Sequence, residues 1–192
     1  MMMTRMVLYF VVDDLRPDLN VSYGQIISTP NIDALSSRGV VFEKAYAQFA
    51  VCAPSRNSFM TGRRPDRTQV YNFLDNFRQV GPEWVTLPQY FKQHNFITLG
   101  GGKTFHPDLP PNYDEPMSWS QIEPYFTFID DVCNATISPI FPYNFSENDD
   151  ICTVANESSL YDYRLASKAI EWIHKYQEYN LFLAIGFRRP HL

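Results

Sequence analysis

The run Met6-Val7-Leu8-Tyr9-Phe10-Val11-Val12 is apolar without alternation and ends abruptly at Asp13-Asp14. That pattern predicts a central strand covered on both faces. Helix signals follow: Thr29 as cap, Pro30 at the first helical position, Ile32 and Leu35 facing inward, and Gly39 to end the helix before Val40-Val41-Phe42. A second helix is predicted from near Pro54 to Gly62, and a third, short one from Thr86 to His94 carries Leu87, Tyr90 and Phe91. Phe96-Ile97-Thr98-Leu99 then reads as a strand ending in Gly100-Gly101-Gly102. The longest helix is expected from about Ser158 to Glu178, with an apolar stripe of Tyr163, Ala166, Ile170 and Ile173, before a buried strand over Leu181–Gly186. From about 107 to 157 the chain is rich in Pro, Asn, Asp and aromatics without steady period, and it reads as a surface excursion. Helices alternating with buried strands predict an α/β fold, a mainly parallel sheet sandwiched by helices.

In such sheets ligands bind beyond the carboxyl ends of the strands. Asp13-Asp14 follows the first strand, Lys103 and His106 follow the second, and His191 follows the third. Two adjacent carboxylates at a buried strand end repel each other and favour a hard divalent ion such as Ca²⁺ or Mg²⁺. The other reading has Asp13 capping a turn and Asp14 facing water. Cys52 stands just before the helix opening at Pro54, where free N–H groups and the dipole favour an anion, and Arg56 adds a charge within the first turn. A buried structural thiol is the alternative for Cys52. Gly100-Gly101-Gly102-Lys103-Thr104 is not a P-loop, because Ile97 stands where that pattern needs glycine.

Composition narrows the classes. The chain has 192 residues, 45% of them hydrophobic and 16% aromatic, which excludes general disorder. Its net charge of −5 is scattered, so no nucleic-acid surface is expected, and no apolar stretch approaches the roughly 20 residues of a membrane span. Met1-Met2-Met3-Thr4-Arg5 leaves no room for a signal peptide, so the protein is either cytosolic or begins further upstream. Glycosylation sequons stand at Asn20, Asn134, Asn144 and Asn156, the last three crowded into one polar stretch, and Cys133 and Cys152 lie in that stretch and could close it. They suit a disulfide-closed, glycosylated loop of the secretory pathway; the competing reading is three reduced thiols in the cytosol.

Cys52-Ala53-Pro54-Ser55-Arg56, followed by Thr61-Gly62-Arg63, resembles the signature of type I sulfatases of the alkaline-phosphatase-like superfamily. The resemblance implies that a formylglycine-generating enzyme oxidises Cys52 to formylglycine. It also implies that Asp13, Asp14 and residue 52 ligate one Ca²⁺, that Lys103 and His106 contact the sulfate and the formylglycine hydroxyls with Arg56 as a further catalytic residue, and that His191 contacts the sulfate and acts as general acid. Val11–Pro17, Thr29–Asp33 and Gly102–Pro107 look most like a lysosomal branch that removes the 2-O-sulfate of iduronate from heparan and dermatan sulfate. A cysteine pair at Cys133 and Cys152 fits that branch. Family members complete the metal site with an Asp-His or Asp-Asn pair and a lysine that have no counterpart here. The 192 residues are therefore expected to be the amino-terminal part of a sulfatase catalytic domain, inactive alone, with half a calcium site and an exposed sheet edge. A truncated, inactive sulfatase-like protein and a phosphorus-ester hydrolase of the same superfamily are the alternatives.

Overall fold

The computed structural model describes residues 4–19, 27–127 and 157–191. In chain order the elements are β1 (Met6–Val12), α1 (Pro30–Ser36), α2 (Cys52–Thr61), α3 (Pro65–Thr68), α4 (Leu87–Gln93), β2 (Ile97–Gly102), α5 (Tyr161–Lys175) and β3 (Leu181–Phe187). The strands form one parallel sheet in the order β1-β3-β2, with Leu181 opposite both Met6 and Ile97. Cys133, Cys152, Asn20, Asn134, Asn144 and Asn156 lie outside the described residues. No helix among the described residues is long and apolar enough to cross a membrane.

Strand β3 divides the interior in two. Leu181, Leu183 and Ile185 face a core with Leu99, Leu165, Ala169 and Trp172, while Phe182 and Ala184 face the opposite core of Met60, Phe77, Phe105 and Trp119. This is the sandwiched parallel sheet predicted above, since a strand buried on both sides needs apolar residues at every position.

The expectation for β1 is corrected. It forms an edge of this sheet, and Met6, Leu8, Phe10 and Val12 are exposed, while Val7 and Tyr9 pack on the second core. An unbroken apolar run records that both faces accept apolar neighbours; it does not say what covers them, and α5 lies over β3 and β2. Helix α1 also departs from expectation, because Ile32 and Leu35 are exposed and no residue of the helix is buried. Thr29 bonds the Asp33 carboxylate rather than a backbone N–H.

Two further corrections come from packing. On α5 the buried stripe is Tyr161, Leu165, Ala169 and Trp172, whereas Tyr163 and Ile170 are exposed. The helix carries two apolar faces, and the one with the bulky Trp172 meets the sheet. In β2 the glycines belong to the strand instead of ending it. A Cβ at Gly100 would lie 2.7 Å from the rings of Trp119 and Tyr125, so glycine is what lets those rings close on the strand. For the same reason residues 107–127 are not the surface excursion expected of them: Trp119, Ser118 and Asp114 are buried.

Arg78 holds this segment to the body. Its Nε and Nη2 donate to the two oxygens of Asp114, each at 2.7 Å, its Nη1 donates to the carbonyls of Pro82 and Trp84, and Nη2 also reaches Gln89. Gln89 and Thr86 in turn close the capping box of α4. Lysine keeps the charge but cannot reproduce the fork. Arg78→Lys is therefore expected to lower stability by roughly 2 kcal/mol, read as a shift in the urea midpoint at unchanged slope.

Candidate active site

The chemically capable residues gather where the three strands end. Asp13 continues β1, its N–H donating to the Phe187 carbonyl at 3.1 Å, and Lys103 continues β2, its N–H donating to the Gly186 carbonyl at 2.8 Å. Such close approach of the strand ends depends on Gly186, because a Cβ there would stand 2.1 Å from the Lys103 carbonyl carbon. Gly186→Ala is expected to cost roughly 2–3 kcal/mol by forcing β2 and β3 apart, measurable as a drop in Tm with loss of amide protection at Lys103.

Helix α2 supplies the fourth side. It begins at Cys52, two residues before the Pro54 start expected from the sequence, with Val51 as its extended N-cap and left-handed Gly62 at its end. Proline is tolerated in the first turn because its missing N–H would have had no intrahelical partner. Cys52 is half-buried, and Arg56, one turn on, is 3% exposed. The helix is buried on polar as well as apolar faces: Asn57 donates to the Ala53 carbonyl and accepts from Phe77 N–H.

Asp13 is the centre of charge. Arg56 Nη2 donates to Asp13 Oδ1 at 2.7 Å, Lys103 Nζ pairs with Oδ2, and Arg56 Nη1 donates to the carbonyls of Lys103 and Thr104. Burial opposes ionisation of Asp13, but the charges and hydrogen bonds of Arg56 and Lys103 outweigh it and hold the carboxyl below its ordinary range. Two buried cations thus face one buried carboxylate, which leaves a local excess of positive charge suited to an anion.

A pocket of about 250 Å³ opens beside this group, lined by Cys52, Phe73, Lys103, His106, Pro107, Arg188 and His191. His106 Nδ1 lies 2.8 Å from the Pro107 carbonyl, which can only accept, so Nδ1 carries the proton and Nε2 is left as an acceptor. Burial pushes the His106 pKa down, the Pro107 bond opposes this, and Lys103 and Arg56 add to the lowering. His191 Nε2 stands 3.8 Å from Asp14 and 3.9 Å from Asp13.

The structure brings Cys52, Arg56, Lys103, His106, His191 and Asp13 together. Asp14 stays at the rim, with its side chain 62% exposed and a φ of 52°. Phe73, Pro107 and Arg188 also wall the pocket. Pro107 had a sequence signal, its place in the Gly102–Pro107 segment, and Arg188 had its place in the loop that follows β3; Phe73 arrives from a distant segment that no local pattern marks.

Calcium takes six to eight oxygens. Both Asp13 oxygens face cations, Asp14 points outward, and no group of three or more His, Cys, Asp or Glu among the described residues is arranged to hold a metal. The donors described here do not by themselves fit that ion.

The family model for sulfatases matches residues 5–192. Human iduronate 2-sulfatase is 39% identical over 194 residues and the mouse enzyme 38%; each alignment covers 97% of this chain and 35% of the relative. The chain thus spans about a third of the length of these curated relatives. A crystal structure from Bacteroides thetaiotaomicron described as a sulfatase superposes with a TM-score of 0.63 at 23% identity, over 98% of this chain and 36% of that one. With the family match running through the Cys52 motif, all three strands and the loop of His191, this chain belongs to the sulfatase family.

Proposed function

We propose that the protein removes sulfate from a glycosaminoglycan sugar, the 2-O-sulfate of iduronate in heparan or dermatan sulfate, at a nucleophile built on residue 52. The observation that carries this reading is the placement of Cys52 at the start of α2, in a pocket shared with Lys103, His106 and His191 beside a pair of buried cations. Similarity to iduronate 2-sulfatases supports the substrate.

A thiolate attacking sulfur would end as a stable adduct. Oxidised to formylglycine and hydrated, residue 52 would offer one hydroxyl for attack and a second whose collapse to the aldehyde expels sulfate. Lys103 and the N–H groups at the start of α2 stabilise charge developing on the sulfate oxygens, and Arg56 holds Asp13 and the Lys103 backbone in place. His106, kept neutral by burial, can accept a proton from a hydroxyl at residue 52. His191, which lines the same pocket, gives its proton to the departing sugar oxygen. Calcium belongs to the family in general; here Asp13 is committed to Arg56 and Lys103 and Asp14 stands at the rim, so each step of the reaction rests on the residues of the pocket. The secretory or lysosomal route is supported by the four sequons and the Cys133 and Cys152 pair.

Full-length protein carrying these residues, made in a host with the formylglycine-generating enzyme, should release sulfate from an iduronate 2-sulfate disaccharide and from an aryl sulfate, and leave an aryl phosphate largely intact. Preferential phosphate release would instead favour a phosphorus-ester hydrolase.

A further inference from the structure

We propose that Asp162 is a positioning residue for His191, an inference that rests on the sulfatase reading with His191 as general acid. Asp162 lies in the first turn of α5. Its Oδ1 accepts the N–H of Arg188 and its Oδ2 the N–H of Arg189, each at 2.9 Å, and the His191 N–H then donates to the Arg188 carbonyl at 2.9 Å. One carboxylate thus spans two consecutive peptides of the loop leaving β3, and neither can rotate without breaking a charge-assisted bond.

The imidazole depends on that clamp. A functional histidine is commonly oriented through the nitrogen that does not react, as His106 is through its bond to Pro107. His191 has no such bond: its Nδ1 is buried without a hydrogen-bond partner among the described residues, and its Nε2 is 3.8 Å or more from the nearest carboxylates. Its ring is therefore placed by its backbone, and the backbone by Asp162. The clamp is itself rigid, because α5 is fixed to the sheet through Leu165, Ala169 and Trp172. Arg188, on the pocket wall, is held by the same bond. The alternative is that Asp162 only stabilises the helix N-terminus as any first-turn acid does, which would alter stability and nothing else.

The reaction step separates the two. As the attacking hydroxyl of residue 52 gives its proton to His106 and its oxygen bonds to sulfur, the bond from sulfur to the leaving oxygen breaks and its electron pair stays on that oxygen. The oxygen takes the proton from His191, leaving the imidazole neutral. A sugar alkoxide needs this proton; a nitrophenolate does not. Asp162→Asn turns one acceptor into an N–H₂ facing a donor, so kcat on an iduronate 2-sulfate disaccharide should fall roughly 10- to 100-fold while kcat on nitrocatechol sulfate stays within about threefold.

His191→Ala should show the same split, and the double variant little beyond it. Arg78→Lys, weakened far from this loop, should move both esters together. If Asp162→Asn does not accumulate, Asp162→Ser, which keeps one acceptor oxygen, is read for the same ratio. Equal losses on both esters in the Asp162 variant, with the split retained in His191→Ala, would overturn the inference and leave the sulfatase reading standing. Parent protein that carries formylglycine at residue 52 and still hydrolyses neither ester would sink both.

Discussion

Asp13→Asn is expected to destabilise the protein by about 3–5 kcal/mol at neutral pH, because it strands two buried cations. The side chains of Arg56 and Lys103 are 3% and 7% exposed, and among the described residues Asp13 is the carboxylate that pairs with both. Arginine cannot shed its charge, and the hydrogen bonds of Arg56 Nη1 to the Lys103 and Thr104 carbonyls do not neutralise it, while its buried Nε has no partner among the described residues. The amide of asparagine can still accept one bond, so the loss is electrostatic more than steric. The pH dependence gives a second reading of the same pair. Asp13 titrates below its ordinary value in the folded state, so its contribution is fully present above the unfolded carboxylate pKa and is lost as pH falls through the lowered one. The variant should accordingly lose part of the acid limb of the stability profile. Urea unfolding at several pH values measures both; a neutral-pH change under about 1 kcal/mol would mean that the cations find compensation elsewhere.

Cys52→Ala should separate chemistry from stability. The side chain is half-buried at a helix start and belongs to neither core, so its truncation should change stability by no more than about 0.5 kcal/mol. Sulfate-ester hydrolysis by the full-length protein should nevertheless fall on the order of 10⁴-fold or more, since the nucleophile is gone and the neighbouring cations can only bind the ester. A structural thiol would behave in the opposite way, with a clear loss of stability and a rate close to that of the parent. Kinetics on an aryl sulfate beside a thermal melt of the same preparation decide between them.

Much of the fold was legible because parallel strands and helix caps leave local marks. The strand read over Leu181–Gly186, the short helix read from Thr86 to His94, and the stop at Gly62 all stand within a residue or so of where their sequence signals put them. What failed was the direction in which apolar faces point. Met6–Val12 reads as fully covered and is not, Ile32 and Leu35 read as inward and are exposed, and α5 offers two stripes of which packing selects the one with Trp172. Those outcomes depend on neighbours distant in sequence, which periodicity does not encode. The site divides the same way. Strand ends followed by Asp, Lys and His could be read directly, because topology places strand ends together. That Asp13 would be shared between Arg56 and Lys103, that Phe73 would wall the pocket, and that Asp162 would hold the loop of His191 all rest on contacts made only in three dimensions.

The central claim is that residue 52 is the modified nucleophile of a sulfatase, and mass spectrometry of its tryptic peptide tests it most directly. The protein should be purified from a secretory host that carries the modifying enzyme and split into two portions, one treated with a thiol-alkylating reagent and one with a hydrazide. The account predicts that the peptide resists alkylation, carries the mass of an aldehyde in place of the thiol, and forms the hydrazone. A peptide that is quantitatively alkylated and never forms the hydrazone, from protein that still hydrolyses sulfate esters, would contradict it.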